Sequence, residues 1–168
     1  MSRETVRQAV ANYLSGKQIP GVSVYEAMPK VSDPVPTVPG LQTTCIAFPT
    51  IGTQQEIRLG MGKKHITYDV TLQLVCFSTQ AQGEDAQADC DAIFESILEW
   101  IRTDPSLGTI GSSNPILQAG EGTGFGSQDL RIEQDLPVLA DDGSGGVHIW
   151  ARMAITAVEI VNAPPPFG

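Results

Sequence analysis

The 168-residue chain is 41% hydrophobic and 17% charged, with a formal net charge of −9. That apolar fraction excludes a disordered chain, and the length gives one domain with a core rather than two. The charge excludes a protein that grips nucleic acid through a basic stripe, because phosphate neutralisation drives such binding.

The only adjacent basic pair is Lys63-Lys64. An acidic surface suits solubility, and it equally suits the wall of a channel through which DNA slides. No apolar run nears the ~20 residues that span a bilayer. The first ten residues read as polar helix rather than as a secretory apolar segment, so no membrane partner is expected.

The first predicted element is a helix from Arg3 to Ser15. Val6, Ala9, Val10, Tyr13 and Leu14 fall at helical spacing on one face, Ser2 can cap the start, and Gly16 ends it. Val22 to Met28 reads as a short strand. Pro29 to Gly40 carries four prolines, which remove backbone donors and fix φ, so it reads as a long, semi-rigid loop. Leu41 to Phe48 is a predicted strand and Gln55 to Leu59 a weaker one.

His65 to Ser78 is the clearest strand. Ile66, Tyr68, Val70, Leu72, Leu74 and Cys76 share one face, while Thr67, Asp69, Thr71 and Gln73 share the other. A second helix is predicted from Asp85 to Thr103, with Cys90, Phe94, Ile97, Leu98 and Ile101 as its apolar stripe. Its early acids complement the helix dipole, and Asp104-Pro105 stops it.

Thr109 to Gln128 reads as loop with a short strand at Ile116 to Ala119, and Leu130 to Val138 as a strand. The Asp141–Gly146 run is a hairpin turn leading into a long strand from Val147 to Val161. The expected fold is α+β: a single domain over residues 1–162, with a mostly antiparallel sheet covered by two helices and long Pro/Gly-rich loops. Residues 163–168 form a Pro-rich extended arm.

No constellation at motif spacing carries chemistry. Gly120 to Gly126 lacks the following helix and the lysine of a phosphate loop. His65 and His148 stand on or beside strands, with no nucleophile elbow or zinc signature. Asp85, Asp89 and Asp91 have the wrong spacing for a calcium loop. Cys45, Cys76 and Cys90 fall in apolar patterns and read as buried free thiols. The chain is therefore expected to be no enzyme and to take no cofactor or metal.

Several features together carry a resemblance. An N-terminal helix ends in Tyr13-Leu14. A long strand reads His-x-Thr-Tyr-Asp-Val-x-Leu from His65 to Leu72. An Asp-rich helix with Asp91, Ile93, Ile97 and Ile101 closes with Arg102-Thr-Asp-Pro-Ser-Leu-Gly108, and two strands follow. Over about Arg3 to Val161 the arrangement resembles the tail-terminator (tail-completion) proteins of long-tailed phages.

That resemblance implies a homo-oligomeric ring, typically a hexamer, at the head-proximal end of the tail tube. Such a ring ends tube polymerisation and joins tail to neck, with genomic DNA passing unbound through its hole. The implied partners are other copies of the chain, the tail tube protein and the neck or connector proteins, and the implied location is the virion. On this reading Glu84, Asp85, Asp89, Glu95, Glu99 and Glu121 are candidate channel-lining acids. Pro34, Pro36, Pro39, Phe125, Pro164, Pro165, Pro166 and Phe167 are candidate subunit or partner contacts. The alternatives are another neck or head-completion connector, a small enzyme or ligand-binding domain with a pocket by the 120–126 loop, and a generic interaction module.

Overall fold

The computed structural model describes residues 3–30, 38–60, 62–80, 83–109, 116–119, 132–139 and 146–162. In chain order these form α1 (Arg3–Ser15), β1 (Val22–Val24), β2 (Thr43–Gly60), β3 (Lys63–Ser78), α2 (Gly83–Thr103), β4 (Ile116–Ala119), β5 (Glu133–Gln134), β6 (Val138–Leu139) and β7 (Val147–Asn162). The architecture is α+β, with a mixed, mostly antiparallel sheet in the order β1-β2-β3-β7-β4. β5 and β6 lie along the same edge of β7 as β4. Only β1 is parallel to its neighbour, Val22 standing opposite Cys45.

The period-two pattern of β3 decides which face is covered. Ile66, Tyr68, Val70, Leu72, Leu74 and Cys76 are buried, and each stands opposite an inward residue of β7: Val70 faces Ile155 and Leu72 faces Met153. Both helices lie on this face. Val6, Val10 and Leu14 of α1 join Cys90, Phe94, Ile97 and Ile101 of α2 in one core with the two strands. Each fully buried aliphatic side chain contributes roughly 1.5–3 kcal/mol relative to exposure, so β3, β7 and the two helix stripes supply most of the hydrophobic stabilisation.

Several boundaries differ from expectation. The strands expected at Leu41 to Phe48 and Gln55 to Leu59 are one, β2, which continues through Pro49 with a register shift between Ile51 and Gln54. Pro49 is tolerated because β1 pairs only with residues 45–47. Beyond them β2 is an edge strand, where a missing N–H breaks no ladder.

β1 stops at Val24 rather than Met28. Tyr25 still donates to the Ala47 carbonyl, but the Glu26 carbonyl is taken by Arg7 of α1 (3.1 Å), which draws the chain off the sheet. The strand expected at Leu130 to Val138 is two short pieces, β5 and β6, separated by a stretch that contains Pro137. α2 begins two residues before Asp85. The hairpin turn expected at Asp141–Gly146 lies, except for Gly146, outside the described residues.

Candidate subunit interface

Helical spacing places the acids of α2 on the face opposite its apolar stripe, and Glu84, Asp85, Asp91, Glu95 and Glu99 are exposed there. Glu95 and Glu99 both pair with Arg102, Glu99 at 3.4 Å. Asp89, another of the expected channel-lining acids, is half-buried. It accepts hydrogen bonds from Gln80 Nε2 (2.9 Å) and the Thr43 hydroxyl (2.8 Å), which hold its carboxyl below the usual carboxylate range and tie α2 to the start of β2. Thr43 also stands 2.8 Å from the Ser78 hydroxyl. Glu121 lies outside the described residues, as do Pro34, Pro36, Phe125, Pro164, Pro165, Pro166 and Phe167; Pro39 is described and exposed.

A feature that the sequence reading did not single out is the far half of the β2–β3 hairpin. From Gly52 to Gly60 every residue of β2 is exposed, and neither helix covers this stretch. Arg3 of α1 reaches only to the Ile51 and Gly52 carbonyls. Ile57 and Leu59 are 49% and 53% exposed. Ile57 stands opposite His65, which in turn stands opposite Ile160, itself 52% exposed.

Three of the ten Lys and Arg residues, Arg58, Lys63 and Lys64, cluster at the tip. Lys64 pairs with Glu56 at 3.1 Å, and no described carboxylate pairs with Arg58 or Lys63. The signals in the sequence were this crowding of bases and the apolar Ile57 and Leu59 beside Gly60 and Gly62. They were masked by Pro49 and Gly52, which break the strand pattern.

At the other end of the sheet an open cleft of about 430 Å³ lies between α2 and residues 40–43. It is lined by Pro20, Leu41, Ala92 and Ile93, with Asp89 and Gln80 among its polar groups. The 120–126 loop, beside which a pocket was expected, lies outside the described residues.

The remaining motif residues are brought together for structural purposes. The Tyr13 hydroxyl donates to the Trp100 carbonyl (2.7 Å), Lys17 Nζ lies 4.6 Å from the Tyr13 ring and 4.7 Å from the Trp100 ring, and Gly108 packs on Tyr13. Asp104 accepts from the Ser106 hydroxyl and from the amides of Ser106 (3.1 Å) and Gly108 (2.8 Å), and these bonds hold its carboxyl below the usual range. The two ends of the helices are thus clasped.

Cys45, Cys76 and Cys90 are buried free thiols. Hydrogen bonding to the neighbouring thiol and burial push both Cys76 and Cys90 above the ordinary thiol range. No group of His, Cys, Asp and Glu among the described residues is arranged to hold a metal ion. His65 faces Ile160 and His148 faces Phe77, so the two histidines sit at opposite ends of the sheet. The chain matches no protein-family model and no curated protein sequence.

Proposed function

We propose that this chain is a structural virion protein. Six copies form a ring at the head-proximal end of a phage tail tube, end its polymerisation and join tail to neck, and DNA passes through the hole. The observation that carries the reading is the exposed hairpin of β2 and β3. A single copy leaves Ile57, Leu59 and Ile160 in water beside Arg58 and Lys63, which pair with no described carboxylate, on a molecule of net charge −9. Contiguous apolar surface on an unpaired sheet edge marks an interaction site in a soluble protein. A projecting arm also suits heterologous contacts, which close into a ring when the rotation per subunit divides a full turn. The sequence resemblance supplies the particular ring.

The net charge supports the passage of DNA without retention. At −9, the chain gives phosphates few cationic partners. The test is to add the purified chain to growing tail tubes and image them. The expected result is a ring on one end of each tube and an arrest of lengthening at about one ring per tube. A stable ring that binds neck proteins but leaves tube growth unchanged would favour the connector alternative.

A further inference from the structure

We propose that the β2–β3 arm of one copy docks in the cleft beside α2 of the next copy. The inference rests on the self-assembly part of the reading above and assigns the contact that performs it. The arm offers two apolar side chains, Ile57 and Leu59, with Arg58 between them on the opposite face of the strand from Ile57 and Lys63 across the turn. The cleft offers the complement. Its floor is apolar, with Leu41, Ala92 and Ile93, and it is open enough, at about 430 Å³, to admit side chains of that size.

Asp89 lies in its lining, and Asp85 stands one helical turn before Asp89 on the exposed rim. Ala88 and Ala92 are small and exposed on the same face, so a strand can approach the helix closely. Like charge would keep the acidic surfaces of two copies apart everywhere else, so the basic arm also fixes which surfaces meet.

The arm and the cleft cannot meet within one chain. The tip is at Lys63 and the cleft is at the level of Thr43 and Ser78, the opposite end of β3, roughly 50 Å away at about 3.3 Å per residue. Two complementary surfaces at opposite ends of one rigid sheet define a head-to-tail contact, the kind that propagates around a ring. The exposed Asp85 then serves the subunit contact rather than the wall of the hole.

Reciprocal charge exchange tests this. One variant carries Arg58→Glu and Lys63→Glu; the other carries Asp85→Lys. Circular dichroism and melting curves establish that both fold. In native mass spectrometry each variant alone should assemble at least about tenfold more weakly than the wild type, and an equimolar mixture should regain assembly as alternating rings. Ala92→Trp, which fills the cleft without changing charge, should also block assembly.

If the wild type assembles and all three variants assemble as well as it does, the arm–cleft contact is wrong while self-assembly stands. If the arm variant keeps its oligomeric state but loses retention of duplex DNA that the wild type shows, the arm serves nucleic acid and the proposal falls. A wild type that stays monomeric at every concentration removes both the contact and the ring. Normal rings that fail to cap tubes remove only the tail-terminator reading.

Discussion

Asp104 and Asp89 each tie two segments together through hydrogen bonds that favour the ionised carboxylate. Hydrogen bonds from Ser106, then Gly108, depress Asp104, and those from Gln80 and Thr43 depress Asp89. A folded pKa below the unfolded value of about 3.9 means that their stabilisation is complete above that value and is lost as pH falls through the lower folded value. Denaturation midpoints measured from pH 6 down to pH 2.5 should therefore fall less steeply in Asp104→Asn than in the wild type; equal slopes would show that the carboxylate is not a source of acid sensitivity. Phe94 sits in the common core at 5% exposure, and Phe94→Ala should cost about 3–5 kcal/mol in chemical denaturation. At this scale the sequence was a good guide to burial, since apolar periodicity reports it directly. It was a poor guide to Tyr13 and Asp104, whose partners come from another element and leave no trace in local spacing.

Elements whose patterns agree from end to end were legible before the structure. β3 and β7 alternate without interruption, and both helices carry an unbroken stripe, so their types and nearly all their bounds were evident. β2 was not, because Pro49 and Gly52 are strand breakers in general and harmless only on an edge, and edge position is a property of the sheet. The candidate site suffered from the same blind spot. The α2 acids could be named from the sequence, but the arm could not be recognised as a projection until Gly52 to Gly60 was known to be continuous and uncovered. The exposed arm contributes little to the core. Ile57→Ser should therefore leave the unfolding free energy within about 0.5 kcal/mol of the wild type by denaturant titration, while weakening assembly. A large loss of stability would mean that the arm folds back on its own domain.

Over the whole molecule, the two helices cover one face of the sheet; on the other, Trp150 is 40% exposed and Phe77 is in edge contact with His148 at 4.9 Å between ring centroids, while Phe48 is buried. The bases of the arm and the acids of α2 stand at opposite ends of the same sheet. The Pro-rich segment at residues 163–168 is expected, from its composition, to add to assembly rather than to folding. Removing it should leave the melting transition in place and reduce the oligomer fraction. The central claim is that this chain works by closing into a ring, and the native mass of the purified chain across a concentration series tests it most directly. The account predicts a discrete closed oligomer of six copies, lost when Arg58 and Lys63 are reversed in charge. A 17.9 kDa monomer at every concentration, with or without tail tubes, would contradict it.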